Sequence, residues 1–281
     1  MLHSGLLLYG STDTILDLRN TSLENVDING AIANIYFPKT IKYINLGNGG
    51  IPVIDTDSNN LITCRVAYPK GDMSLKNEFF NSLKNANNLS TLSIRRSINL
   101  NVSSLSEYLK DELPSVTTLE LSGNDKNYPQ QVLQNLNGIE KFTNLQNLIV
   151  TYTSKSLNIS AIQNCSKLIS VKIQNTNIQS LSGVEKLYNL QNLNLYDNNI
   201  SSLKALENLT NLEELNLGNN TITDTSSYVD SDGSTRTYNN LEILGNLNKN
   251  GKLKKLYLAG NDNIINWLPL SSLKWDAKSG W

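Results

Sequence analysis

Histidine is nearly missing from this chain. Its 281 residues contain one, His3, which removes most histidine-based catalysis and histidine-ligated metal sites at once. Cysteine is almost as scarce, with Cys64 and Cys165 alone, too few for a disulfide framework. Charged residues make up only 17% and the net charge is −1, so no overall field favours nucleic acid or an anionic membrane. No apolar run approaches the 18 residues of a membrane-spanning helix. The opening MLHSGLLLYG lacks a basic leader and a long apolar stretch, so it does not read as an intact signal peptide. The chain reads either as cytosolic or as a mature fragment with an added Met1. There is no G-x-S-x-G, phosphate loop, paired-carboxylate constellation or zinc spacing. The expectation is a non-enzyme with no cofactor and no metal.

What is abundant is asparagine, 43 residues, and it recurs at fixed places. From Ile178 to Ile222 one phrase is written twice, 22 residues apart. Leu190, Leu193, Leu195, Asn198 and Ile200 return as Leu212, Leu215, Leu217, Asn220 and Ile222. The template is L-x-x-L-x-L-x-x-N-x-I, within the 20–29-residue period of a solenoid. Laid over the whole chain it marks ten units, beginning at Asp13, Ile41, Leu61, Leu89, Val116, Leu145, Leu168, Leu190, Leu212 and Leu253.

Around positions 4 and 6 apolar and polar residues alternate, which predicts a short strand with leucine inward. Stacked strands then form a parallel concave sheet. The position-9 Asn is expected to turn inward and pair with backbone groups of neighbouring coils. Asn124, Asn198, Asn220 and Asn261 are its full form, with Thr21, Thr153 and Thr176 as weaker substitutes. On the convex side, Leu203, Leu206 and Leu209 recur every third residue, as in a 3₁₀ return. In the longer units, 67–88 and 102–114 read as fuller helices. Asp224 to Asn240 is rich in Ser, Thr and Asp and reads as a protruding loop or a hairpin at the sheet edge, Asp232-Gly233 being a candidate turn in the second case. Trp267, Trp275 and Trp281, with Leu268, Leu270 and Leu273, read as a C-terminal cap.

Cys64 and Cys165 both replace core leucines. They lie about four coils apart, ~19 Å at sheet spacing, beyond the reach of a disulfide. Asp230, Asp232 and Gly233 resemble the start of a calcium loop, but Leu241 stands where the closing glutamate belongs. The functional interest falls on the concave face. Position 5 gives a column of Asp17, Asn45, Arg65, Ser93, Glu120, Ile149, Lys172, Asn194, Asn216 and Tyr257. Beside it run Tyr43, Arg95, Thr151, Gln174, Tyr196, Glu214 and Lys255. Tyr, Arg and Asn are typical interface anchors. The candidate partner-binding residues are Tyr43, Arg65, Arg95, Glu120, Ile149, Thr151, Lys172, Asn194, Tyr196, Glu214, Asn216 and Tyr257.

From Leu136 to Asn220 the chain resembles the 22-residue class of leucine-rich repeats, on residues such as LKALENLTNLEELNLGNNTI. That class includes bacterial internalin-like surface proteins and phosphatase-1 regulatory repeat proteins. The resemblance implies an α/β solenoid, a horseshoe with a concave parallel β-sheet and convex helices, 3₁₀ turns and loops. One domain over 1–281 is expected. Within it, 1–40 would be an N-terminal cap and degenerate first repeat, 41–135 longer repeats, 136–223 regular repeats, 224–240 an insertion, and 241–281 the last repeat and cap. The function implied is protein recognition on the concave face, by the repeat domain of a secreted or surface protein. Asparagine and lysine richness with little alanine suits an AT-rich bacterial genome. The expected partner is a protein, with no nucleic acid and no membrane insertion, and the chain is expected to be a monomer. An intracellular adaptor like the phosphatase regulators, or the recognition part of a larger enzyme, stay open as alternatives.

Overall fold

The computed structural model describes residues 5–9, 15–29, 34–47, 51–53, 59–67, 77–95, 106, 109, 111–123, 133–153 and 156–273. Strands are numbered in chain order. One parallel sheet of eleven strands runs the length of the solenoid. It contains β1 (Gly5–Tyr9), β3 (Asn25–Asn29), β5 (Tyr43–Gly47), β7 (Thr63–Ala67), β8 (Thr91–Arg95) and β9 (Thr118–Ser122). It continues with β10 (Asn147–Thr151), β11 (Ser170–Gln174), β12 (Asn192–Asn194), β13 (Glu214–Asn216) and β16 (Lys255–Tyr257). Three shorter strands, β2 (Ile15–Asp17), β4 (Asn34–Tyr36) and β6 (Ile51–Val53), form a second parallel sheet. An antiparallel hairpin joins β14 (Thr225–Val229) to β15 (Thr235–Asn239). The helices are α1 (Asn77–Leu83) and α2 (Asn240–Leu247).

The register gives the true repeat lengths. The position-5 row runs Asp27, Asn45, Arg65, Ser93, Glu120, Ile149, Lys172, Asn194, Asn216, Tyr257. The intervals along it are 18 and 20, then 28, 27 and 29, then 23, 22 and 22, and finally 41. Interval length follows the form of the convex return. The short units return through a strand, as in β4 and β6. One of the longer units carries α1. The 22-residue units close through 3₁₀ turns such as Val184–Lys186 and Lys204–Leu206.

This corrects the N-terminal reading. Asp17 lies in β2, in the second sheet, and Asp27 takes its place in the concave row. The unit placed at Asp13 therefore starts at Leu23, whose L-x-x-V-x-I matches the template. Thr21 leaves the ladder for the same reason. It is exposed, and its hydroxyl donates to the Leu18 carbonyl, three residues back.

Alternation within each strand builds the core. Leu148 and Val150 of β10, Leu193 of β12 and Leu215 of β13 are all buried, and Leu195 and Leu217 continue the inner row. Between the coils runs the asparagine ladder. The Asn198 amide oxygen accepts from the backbone N–H of Thr176 and Ile178 and from the Thr176 hydroxyl. Its NH₂ donates to the carbonyls of Ile173 (2.8 Å) and Leu195 (3.0 Å). Asn220 and Asn261 repeat this one and two coils on. Thr153 and Thr176 are buried at the same position, and the Thr153 hydroxyl donates to the Thr176 carbonyl. Asn124 lies outside the described residues.

The turn before each ladder residue is left-handed. Asn175, Asp197 and Asn219, spaced 22 apart, have φ of 54°, 59° and 53°, a region that Asn and Asp enter more readily than other side chains. Gly183 (φ +98°) starts a 3₁₀ turn where an added Cβ would come within 2.5 Å of the Ser160 carbonyl oxygen. Only glycine fits that close approach.

A second asparagine series lies on the outside, just before the strands. The NH₂ groups of Asn60, Asn144, Asn189 and Asn211 donate to the carbonyls of Lys39, Pro114, Ser166 and Tyr188 on the preceding coil. Much of the unusual asparagine content is thus spent joining coil to coil.

Of the loop and the hairpin that the insertion's sequence allows, the hairpin forms, turning through Gly233 (φ +83°). Asn240, fully buried at its base, accepts from the Leu203 N–H and donates to the carbonyls of Ser201 and Thr223. The C-terminal cap differs from expectation. Ile264 and Leu273 are buried and Leu270 packs on the core, while Trp267 and Leu268 are exposed. Trp275 and Trp281 lie outside the described residues, as do Leu105 and Tyr108 of the second expected convex helix.

Candidate functional site

Three parallel rows cross the concave face, because alternate residues of each strand point to the same side. The position-5 row is the centre. Tyr43, Glu214 and Lys255 belong to the row on one side of it, and Arg95, Thr151, Gln174 and Tyr196 to the row on the other. Positions 3, 5 and 7 of the units thus face outward together, as the alternation predicts. In the centre lie Arg65, Glu120, Ile149, Lys172, Asn194, Asn216 and Tyr257. Helices stay off this face among the described residues: α1 packs against β6, and α2 against the 3₁₀ turns.

Tyr43, Tyr257, Arg65, Arg95, Lys172 and Tyr196 are exposed, whereas Glu120, Ile149, Asn194, Glu214 and Asn216 are half-buried. Thr151 is buried and offers no open surface, in contrast to the sequence reading. It is short and sits in register between Ser122 and Gln174.

The side-chain acceptors of Glu120, Asn194 and Asn216 in the central row are already engaged. Glu120 Oε2 accepts from Ser93 Oγ (2.7 Å) and Arg95 (2.8 Å), and Oε1 from Ser122 Oγ (3.1 Å). Burial pushes its carboxyl up. Hydrogen bonds from Arg95 and Ser93, the Arg95 charge and the Ser122 hydroxyl outweigh that and hold it below the ordinary glutamate value. A native carboxyl held low stabilises the fold above its unfolded pKa, and the contribution vanishes as pH falls through the lowered native value. Arg95→Ala is therefore expected to lower the urea midpoint near neutral pH, with the gap to the parent closing on acidification. Urea melts over a pH series read this directly, and a gap independent of pH would refute the electrostatic account.

Asn194 Oδ1 accepts from Gln174 Nε2 (2.8 Å) and the Tyr196 N–H (3.2 Å). Asn216 Oδ1 accepts from the Gly218 N–H (3.0 Å). Since only the amide oxygen can accept from a backbone N–H, both NH₂ groups face away from these bonds. Glu214 pairs with Lys255 at 3.1 Å, which raises the lysine pKa. Tyr196 lies beside Gly218, where a Cβ would stand 3.2 Å from its ring, and its hydroxyl accepts from Asn219 (2.7 Å). Neither Gly218 nor Asn219 stood out in the sequence as support for Tyr196, because each also fits its place in the repeat.

Cys64 and Cys165 are buried free thiols, each pushed up to about 12 by burial, with Glu140 adding to the shift at Cys165. Such thiols are poor nucleophiles. Asp230 and Asp232 cap their own turn and pair with Arg236. Among the described residues no cluster suited to a metal ion occurs, and no helix is long and apolar enough to cross a membrane.

Residues 188–229 match the family described as Leucine Rich repeats (2 copies). These are leucine-rich repeats. No curated protein matches the chain. Solved leucine-rich-repeat structures do. An internalin, inlF, from Listeria monocytogenes aligns at 20% identity over 90% of this chain and 79% of its own, with a TM-score of 0.48. Internalin C2 from the same organism aligns at 20% identity over 78% and 70%, with a TM-score of 0.44. A leucine-rich-repeat protein of Leptospira interrogans aligns at 18% identity over 90% and 84%, with a TM-score of 0.37. In leucine-rich-repeat terms, the matched segment runs from the strand of one 22-residue unit, through the next, into the hairpin.

Proposed function

We propose that this chain is a non-catalytic scaffold that binds a protein partner on its concave face. We further propose that it is the repeat domain of a secreted or surface-displayed bacterial protein. The observation carrying the reading is the sheet face itself, where Tyr43, Tyr196 and Tyr257 are exposed on an open surface. Large aromatic side chains held on rigid strands bury much area at little entropic cost, as interface anchors do.

The test is partner capture from an array of purified surface proteins, followed by substitution. Tyr43→Ser and Tyr257→Ser are expected to weaken the captured complex by about tenfold or more, a loss of about 1.4 kcal/mol each. Tyr188→Ser, at an exposed tyrosine off the concave strands, is expected to leave it unchanged. The reverse pattern would move the binding surface elsewhere. For the compartment, a signal sequence encoded upstream of Met1 would support secretion.

A further inference from the structure

Along the centre of the concave face, from Arg65 to Asn216, the unpaired charged and amide groups are all donors. Among the described residues, no carboxylate pairs with Arg65 or Lys172. Among the described residues the NH₂ groups of Asn194 and Asn216 have no partner, while their oxygens accept from Gln174 and the backbone N–H groups of Tyr196 and Gly218. The one carboxylate in this stretch, Glu120, is filled by Ser93, Arg95 and Ser122. The charge points the same way. On the three rows from β7 to β16 there are four cations, Arg65, Arg95, Lys172 and Lys255, against two carboxylates, Glu120 and Glu214. That stretch of the face carries a net +2 on a chain whose net charge is −1.

We infer that the concave face takes an extended acidic segment of a protein partner, its carboxylates and carbonyls meeting Arg65, Lys172 and the amides of Asn194 and Asn216. This rests on the concave face being the binding surface. Six strand spacings separate Arg65 from Asn216, ~29 Å. An extended segment of about nine residues spans that distance at ~3.3 Å per residue. Asp27, the carboxylate of the central row outside this stretch, lies two strands beyond Arg65, ~10 Å away, and sets the end at which an acidic segment would be repelled. An ordinary protein surface offers both donors and acceptors; along this central row the fold has engaged the side-chain acceptors of Glu120, Asn194 and Asn216 and left the donors, so selectivity comes from what the row cannot accept as much as from what it attracts.

The probe is poly-L-glutamate, with poly-L-lysine and single-stranded RNA as competing arms, read by biolayer interferometry on the whole chain. Poly-L-glutamate is expected to bind, poly-L-lysine not, and binding to fall by about tenfold between low salt and ~0.5 M salt. The double variant Arg65→Gln, Lys172→Gln should lose about tenfold or more. So should Asn194→Asp with Asn216→Asp, a near-isosteric pair that keeps the oxygens accepting from Tyr196 and Gly218 while turning the free donors into acceptors. Circular dichroism melts show that each variant is folded. Tighter binding of RNA than of poly-L-glutamate would overturn the inference in favour of phosphate recognition. Equal binding of the parent and both double variants would overturn it outright. If an array partner is captured and depends on Tyr43 and Tyr257 but not on these four residues, the concave reading stands and this inference falls. A partner indifferent to all six positions sinks both.

Discussion

Replacing Asn198 by alanine is expected to cost about 3–5 kcal/mol. The side chain is buried and joins two coils. Its loss leaves the N–H groups of Thr176 and Ile178 and the carbonyl of Ile173 without partners. Each buried polar group left unpaired costs ~1–3 kcal/mol, offset in part where a water enters the space. The measurement is the denaturant midpoint at unchanged slope. Asn211→Ala is the matched control. It removes two exposed bonds between coils, one to the Tyr188 carbonyl and one accepted from Lys252 Nζ, and is expected to cost no more than ~1 kcal/mol because water replaces both partners. If the two variants melt alike, the inner asparagines are not the cross-links described above.

Leu215→Ala is expected to cost about 4 kcal/mol, towards the upper part of the ~2–5 kcal/mol range for buried leucine. Leu215 sits fully buried in β13, in register between Leu193 and Leu256. A strand on each side holds the walls, so the cavity cannot collapse. Leu256→Ala, on the last strand of the sheet, has a neighbouring strand on one side only and should cost about 2–3 kcal/mol. Equal costs at the two positions would show that the flanking strand does not keep the cavity open.

The architecture was legible where one physical requirement dictates one residue type. Inward leucines and the inward asparagine of the 22-residue units are of that kind, and Asn198, Asn220 and Asn261 stand where the template puts them. Legibility failed where two elements share a pattern. In the short N-terminal units both the concave and the convex returns are strands, and both alternate. Asp13 to Leu18 therefore imitates a unit as well as Leu23 to Ile28 forms one, and the choice fell on the wrong segment. On the face, alternation told inside from outside and placed positions 3, 5 and 7 together on the open side. It could not show that Thr151 is covered by its neighbours, nor that Glu120 is spoken for by Ser93, Arg95 and Ser122. The free and occupied groups depend on the neighbouring coil, about 18–29 residues away in sequence.

The interval between Asn216 and Tyr257 is nearly double that of the preceding units, yet the two residues are direct neighbours in the sheet. The hairpin, its buried Asn240 base and α2 are all absorbed outside the row. Strand pairing therefore acts as a ruler with marks ~4.8 Å apart, whatever length of chain lies between the marks. New material can be spliced into the returns, at the Ser231–Gly233 tip for instance, without altering the pitch at which the face presents its groups. Geometry for recognition and freedom to grow are assigned to opposite sides of the same coil.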